Sequence, residues 1–318
     1  MNRRCVVTGA AGFIGSRLSH MLLADGWTVT GIDGFTDSYD PTEKEARAEA
    51  LSVWQNFSLV VGDLLDVPLE AVVGEAEVVF HLAGRAGVRP SFELESRYVH
   101  DNVDATRRLL EVCARVPAVR RLVYASSSSV YGNGSRPFRE TGAVGPISPY
   151  GRTKLVAELD CLAAAGTALE TVALRYFTVY GPGQRPDMGL RIFAEAALEG
   201  RPIVLFGDGT QSRDFTFVDD VARATILAAD APVSALCVNI GGGATVTLLA
   251  VFELLRQVVG PLRIESRPVA RGDVVHTEAD HTRAREVLGF QAEVAFEDGY
   301  RRQIDDLRER RARRVRAR

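Results

Sequence analysis

The 318-residue sequence predicts an α/β protein: a Rossmann-type doubly wound parallel sheet followed by a smaller C-terminal α/β substrate lobe. Three observations carry that expectation. A β-branched run, a glycine-rich turn and an amphipathic segment follow one another at the N-terminus. Short apolar runs then alternate with helical patterns through the first half, which implies parallel strands with helices on both faces. After Tyr176 the texture changes to shorter elements broken by Gly, Pro and Arg.

Arg3-Arg4-Cys5-Val6-Val7-Thr8 reads as a buried first strand and Phe13–Ala24 as the helix after it. Gly9-Ala10-Ala11-Gly12-Phe13-Ile14-Gly15 joins them. Glycines there let the backbone approach a pyrophosphate, and the helix N-terminus offers free N–H groups. An ordinary glycine-rich turn has the same composition; its place between strand and helix favours phosphate binding. A second strand, 27–32, leads to Asp33, 18 residues past Gly15. A carboxylate there suits the two ribose hydroxyls of NAD and repels a 2′-phosphate. No arginine follows in Gly34-Phe35-Thr36, so NAD is favoured over NADP.

Further strands are expected at 58–61, Val78–His81, 121–126 and Glu170–Tyr176, with one long helix over 92–116. Ligands of such sheets sit beyond the carboxyl ends of the strands. Gly9, Asp33, Asp63, the run His81-Leu82-Ala83-Gly84, Ser126 to Ser129 and Arg175 to Thr178 all fall there. A loop over 181–187, a helix to Leu198, a strand at Ile203–Phe206 and a turn at 207–209 follow. The expected division is a cofactor-binding domain at 1–176, with elements from about 214–245 returning to it, and a lobe at 177–318 that mainly binds substrate. The Arg-dense stretch 308–318 reads as a helix end fraying into a solvated tail, with nucleic-acid or acidic-membrane binding as the alternative.

Composition agrees with a soluble enzyme: 46% hydrophobic, 25% charged, net charge −3. That charge argues against bulk nucleic-acid binding, and no apolar run is long enough to span a membrane. The first strand begins almost at once, which leaves no room for a signal peptide. Cys5, Cys113, Cys161 and Cys237 lack paired spacing and read as buried thiols in a reducing cytoplasm. The five histidines show no ligand spacing, so no metal is expected, and His81 reads as structural.

Tyr150-Gly151-Arg152-Thr153-Lys154 places a phenol and an ammonium one helical turn apart. A phenol alone is a poor base, with a reference pKa of about 10. A cation a few ångströms away favours the phenolate by roughly a few kcal/mol at an effective dielectric near 20. The pair is equipped to take a proton from an alcohol. An exposed helical pair gives the same spacing, and the strand-end residues upstream favour the catalytic reading.

These segments together resemble the extended short-chain dehydrogenases/reductases of the NAD-dependent nucleotide-sugar epimerase/dehydratase family, over nearly the whole length. The markers are Thr8 to Gly15, Gly62-Asp63-Leu64, His81 to Gly84, Ser126 to Gly132, Tyr150 to Lys154, Arg175-Tyr176-Phe177-Thr178 and Arg213-Asp214-Phe215. The resemblance implies cofactor contacts at Gly9, Gly12, Phe13, Ile14, Gly15, Asp33, Asp63, Leu64, Leu82, Ala83, Tyr150 and Lys154, with Asp63 and Leu64 at the adenine. It implies that Tyr150 removes a sugar hydroxyl proton at C4, aided by Ser127, while Lys154 lowers its pKa and holds the nicotinamide ribose. Hydride transfer to NAD then gives a 4-keto sugar, open to epimerisation, dehydration or decarboxylation. Family dehydratases carry an Asp-Glu pair after the Ser127 position and uronate decarboxylases a Glu. Here Ser128 and Ser129 stand there, so dehydration is disfavoured.

The runs Ala86-Gly87-Val88-Arg89, Ser126 to Gly132 and Phe177 to Met188 resemble the UDP-glucuronate 4-epimerase branch of that family most. A uronate needs donors for its carboxylate, and Ser128, Thr178 and Arg185 are candidates, with Arg89 also on the substrate side. A diphosphate contact or a solvated loop position remains open for Arg185. A 4-keto uronate is a β-keto acid prone to lose CO₂, which a fixed carboxylate geometry suppresses. By resemblance, Val204 and Phe206 flank the uracil, Arg213 and Arg271 pair with the diphosphate, and Asp273 reaches the uridine ribose. UDP and dTDP are not separated. Homodimers in this family form through the helices at 92–116 and 150–165. The alternatives are a 4-epimerase of another UDP- or dTDP-hexose, a UDP-glucuronate decarboxylase, and a non-catalytic NAD-binding regulator.

Overall fold

A computed structural model describes residues 3–166, 168–268 and 274–316. The first body alternates β1 (Arg4–Thr8), α1 (Phe13–Ala24), β2 (Thr28–Asp33), α2 (Pro41–Ser52), β3 (Phe57–Val61), α3 (Leu69–Val73), β4 (Val78–His81), α4 (Glu95–Val99), α5 (Ala105–Cys113), β5 (Arg121–Ser127), α6 (Pro149–Ala163) and β6 (Glu170–Tyr176). Then come β7 (Thr178–Tyr180), α7 (Gly189–Leu198), β8 (Ile203–Phe206), β9 (Ser212–Phe217), α8 (Val218–Asp230), β10 (Leu236–Ile240), β11 (Thr245–Thr247), α9 (Leu248–Val259), β12 (Ile264–Arg267), α10 (Thr282–Leu288) and α11 (Phe296–Arg316).

Seven strands form one parallel sheet in the order β3-β2-β1-β4-β5-β6-β10. This is the doubly wound arrangement that the alternating pattern predicts. β4 and β5 are buried along their whole length, because helices cover both faces. Residues of α1, α8 and α10 fill the core on one side, and residues of α3, α5 and α6 fill it on the other. The strand order reverses between β1 and β4, so a crevice opens beyond Thr8 and His81, which are paired in register. β10 pairs with β6 and extends the same sheet, although some sixty residues of chain separate them. β7, β9 and β11 form a small sheet beside it, and β8 pairs with β12 in the second lobe. That lobe has its own core, with Leu190, Phe252, Tyr300 and Ile304 at its centre.

Three local departures from the sequence pattern have clear causes. The helix expected over 92–116 is instead a 3₁₀ turn at Pro90–Phe92, then α4, a π-helical turn at His100–Asp104 and α5. The π turn points Asn102 inward, where its amide accepts from Arg85 N at 2.7 Å and donates to Arg85 O and the Thr153 hydroxyl. Those bonds hold the strand-end loop against α6. The second departure is α2, in a stretch where the pattern marks no element: Asp40 caps it by accepting from Thr42 N, and Pro41 takes the first helical position. Third, α11 stays helical to Arg316, where fraying is expected from 308. Arg308 reaches Val258 O and Arg310 pairs with Asp306. Residues 317–318 lie outside the described residues.

One buried ion pair ties α6 to the sheet. Arg175 on β6 forks onto Glu158 on α6 with bonds of 2.5 to 3.2 Å, and Glu158 also accepts from Ser126 on β5. Both charged side chains are almost wholly buried. Removing one partner strands the other charge in the core. We therefore expect Arg175→Met to lower unfolding stability by about 3–5 kcal/mol, measured by urea denaturation at neutral pH.

Candidate active site

A cleft of about 470 Å³ runs along the carboxyl ends of the strands and passes beneath the 181–188 loop. One end is built by β1, its glycine turn and α1. Gly9 has φ +71°, and a side chain there would strike the backbone of Leu82 and Ala83. A Cβ on Gly15 would collide with Gly9 O. The turn thus closes down on the sheet, and α1 begins at Phe13 behind Gly12 with no side-chain cap, leaving N–H groups for an anion. Gly9, Gly12, Phe13, Ile14 and Gly15 line this end, together with Asp33, Asp63, Leu64, Leu82 and Ala83. A dinucleotide fits this cradle: donors stand where a pyrophosphate belongs, and a carboxylate stands where a ribose belongs.

Asp33 is held from three sides. Its carboxylate accepts from Ala11 N, Phe35 N and the Lys44 ammonium, each at 2.9 to 3.0 Å. Lys44, on the first turn of α2, lines the cleft as well. The sequence pattern passes over Lys44. The signal was present in Asp40-Pro41-Thr42-Glu43-Lys44, a capped helix start whose Lys44 falls eleven residues after Asp33. Nearby, Asp63, His100 and Asp101 bring donor atoms within 4.8 Å of one another, but Asp101 is already engaged by Arg85 and His100.

The other end is built by β5, α6 and the 181–188 loop. Ser148 caps α6 by accepting from Gly151 N, and Pro149 opens the helix, so Tyr150 and Lys154 leave its first turns toward the cleft. Ser127 ends β5, and Ser128 and Ser129 follow in a 3₁₀ turn. The Ser127 hydroxyl accepts from Ser129 N and also lies near enough to Tyr150 to favour its phenolate. Tyr98 sets an edge against the Tyr150 ring, with centroids 6.2 Å apart, and anchors its own hydroxyl on Ala86 O and Gly87 O. Burial pushes the Tyr150 phenol up, while the Ser127 hydroxyl and the Arg185 charge pull it down. The spacing argument gave that second role to Lys154. In the structure the Lys154 ammonium stands over the Tyr124 ring at 4.5 Å, and its burial depresses its pKa to about 8.

Among the substrate candidates, Ser128, Thr178 and Arg185 line the same cleft. Arg185 forms a two-pronged pair with Asp187, which the sequence pattern also passes over. Arg89 stacks over the Phe206 ring at 4.6 Å, next to the cleft wall at Val88. Val204, Phe206 and Arg213 lie outside the walls of the cleft, and Arg213 donates to Ser212 O and Val275 O. Arg271 and Asp273 lie outside the described residues. His81 is fully buried between the hydroxyls of Thr8 and Thr106, each at 2.8 Å, and burial lowers its pKa to about 3. It is neutral and structural. All four cysteines are buried and unpaired, and among the described residues no helix is long and apolar enough to cross a membrane.

Residues 5–241 match the model of the NAD dependent epimerase/dehydratase family. A UDP-glucuronate 4-epimerase of Thermodesulfobacterium geofontis is 39% identical over 307 residues, covering 94% of each chain. A UDP-glucose 4-epimerase of Mycolicibacterium smegmatis is 37% identical over 327 residues, covering 96% of this chain and 98% of its own. The crystal structure of the Bacillus cereus UDP-glucuronic acid 4-epimerase with UDP-glucuronic acid and NAD superposes with a TM-score of 0.92 at 35% identity, covering 96% of this chain and 99% of that one.

The buried Lys154 carries a stability cost with a defined sign. Between about pH 8 and its ordinary value of 10.5 the unfolded chain holds a proton that the folded chain does not. Stability through this group therefore rises across that window and is lowest below it. At pH 7 the cost is about 3 kcal/mol. Lys154→Met should raise the unfolding midpoint of the cofactor-free protein at pH 7, with a gain that shrinks toward pH 10, measured by thermal denaturation across that range.

Proposed function

The chain belongs to the NAD-dependent epimerase/dehydratase family, and from that premise we propose that it interconverts UDP-glucuronate and UDP-galacturonate by epimerisation at C4. The observation that carries the reading is one cleft holding Ser127, Tyr150 and Lys154 at one end, Asp33 and the glycine turn at the other, and Thr178 and Arg185 above the reacting end. The glycine turn, the α1 N-terminus, Asp33, Asp63 and the Leu82–Ala83 strand end hold NAD, with Lys154 at its nicotinamide ribose. Bound NAD supplies reversible hydride removal at C4, which leaves a 4-keto sugar for the protein to hold.

Tyr150 takes the C4 hydroxyl proton as a phenolate and returns it after the sugar has turned over. Ser127, beside that phenol, favours its ionised form and donates to the oxygen as it becomes a carbonyl. Buried Lys154 and the nearby Arg185 keep positive charge around the reacting oxygens. Epimerisation needs no second acid or base, in keeping with hydroxyls at Ser128 and Ser129. Ser128, Thr178 and Arg185 fix the uronate carboxylate, so that the C5–C6 bond stays out of line with the carbonyl π system. Arg89, Val204, Phe206, Arg213, Arg271 and Asp273 take the UDP end. The cofactor-binding body is 1–176 with 214–245, and the rest is mainly the sugar-nucleotide lobe. Half-exposed Val99, Val156 and Leu159 on α4 and α6 support a homodimer through those helices, and the four buried thiols support a cytoplasmic location.

Incubation with UDP-glucuronate, followed by proton NMR, tests the reading. A mixture with UDP-galacturonate is expected. UDP-xylose as product would make it a decarboxylase, and turnover of UDP-glucose alone would move it to the hexose epimerases. Tyr150→Phe should cut turnover by at least about a thousandfold while sparing NAD binding, read by NMR and by cofactor fluorescence.

A further inference from the structure

The 181–188 loop carries Arg185, yet the groups that hold the loop in place come from helices far away in sequence. From α11, Gln303 accepts from Gly181 N and Asp306 accepts from Gly183 N. From α2, Arg47 donates to Gly183 O at 2.8 Å, and the same guanidinium donates to the Tyr39 hydroxyl and to Ala11 O in the glycine turn. Glu43, one turn earlier, accepts a fork from Arg191 at 2.5 and 2.8 Å. Arg191 in turn donates to Gln184 O at 2.6 Å, the carbonyl just before Arg185. Glu43 also accepts from Arg47 at 3.1 Å. Glu43 and Arg191 are nearly buried; burial pushes the Glu43 carboxyl up, and the Arg191 and Arg47 guanidiniums outweigh it and hold the group below its usual range. Between Glu43 and Arg47, on the same helical turn, Lys44 reaches Asp33.

We propose that Glu43 and Arg47 are positioning residues for Arg185, so that α2 ties recognition of the sugar carboxylate to the helix that also holds the ribose-binding carboxylate. The inference rests on the UDP-glucuronate reading. Its chemical content is geometric. A carboxylate grips a guanidinium through two parallel bonds, and that geometry tolerates little displacement. Gly183 and Gln184 have their carbonyls fixed by charged donors from α2 and α7, so the backbone entering Arg185 is set before any ligand arrives. Asp187 grips the Nε–Nη2 edge of Arg185 in such a fork, which fixes the plane of the guanidinium in the cleft wall. If the loop shifts, the carboxylate of a bound uronate loses its fixed angle to C5. The 4-keto sugar then decarboxylates: the C5–C6 bond breaks, its electron pair stays on C5, CO₂ leaves, and C5 takes up a proton to give a 4-keto pentose.

The test compares two ligands in one variant. Glu43→Gln keeps the volume and removes the charge that gathers both guanidiniums. Calorimetric binding to the NAD-loaded protein should weaken about tenfold for UDP-glucuronate and stay within about twofold for UDP-glucose, which lacks the carboxylate. The share of UDP-4-keto-pentose among products should rise, and the acid limb of the pH–rate profile should move to higher pH as the Arg185 charge withdraws from Tyr150. Arg47→Lys keeps the charge but not the two arms that join Glu43 and Gly183 to Tyr39 and Ala11, and should give a smaller change in the same direction; it also stands in if Glu43→Gln fails to fold. Equal weakening for both ligands, or no change in either, overturns the positioning role. If the unaltered protein neither binds nor converts UDP-glucuronate, the functional reading has failed instead.

Discussion

The placing of Tyr150 and Lys154 against Ser127 depends on the buried pair of Glu158 and Arg175. Tyr150 and Lys154 stand on α6, Ser127 stands at the end of β5, and nothing in their own spacing brings them together. Glu158 lies one further turn along α6, fixed by Arg175 from β6 and by Ser126 beside Ser127. Arg175 extends the link through the Tyr131 hydroxyl to Asn239 on β10. The chain sets two charges in the core to lock a helix against three adjacent strands. An apolar contact of the same size would bury more comfortably, but it would allow the helix to slide.

Burial sets the protonation chemistry as much as charge does. It opposes ionisation of Tyr150 and of Lys154 alike, so the phenol is kept protonated and the ammonium loosens its hold on its proton. The compensating groups come from elsewhere: Ser127 beside the phenol and Arg185 from above it. At the opposite end, Lys44 and two backbone amides leave the Asp33 carboxylate oriented and hydrogen-bonded in advance. Both ends of the cleft are thus arranged before a ligand arrives, which limits the reorganisation that binding requires.

Much of this was legible in the sequence where the physics is local. The glycine turn, Asp33, Ser127 and the Tyr150–Lys154 spacing follow from strand-end position and helical period, and the cleft gathers them. The parallel sheet follows from alternation. What escaped depends on pairings across long stretches of chain. Lys44 is one more surface-type residue until α2 folds back onto Asp33, and Asp187 matters only through its fork with Arg185. The break in the 92–116 helix comes from Asn102 reaching Arg85 and Thr153, a contact that no periodicity encodes. Arg271 and Asp273, placed by resemblance alone, fall outside the described residues.

The path of the chain has a consequence for how this protein can be altered. After Tyr176 it runs through β7 and β8 into the small lobe, comes back through β9 and α8 to lay β10 on the sheet edge, leaves again at β11, and returns once more as α10 beneath β10. No single cut separates the body built on the seven-stranded sheet from the small lobe. A truncation after β6 would bare a long apolar edge strand and the face that α8 and α10 cover. The small lobe is therefore not a cassette to be exchanged between relatives.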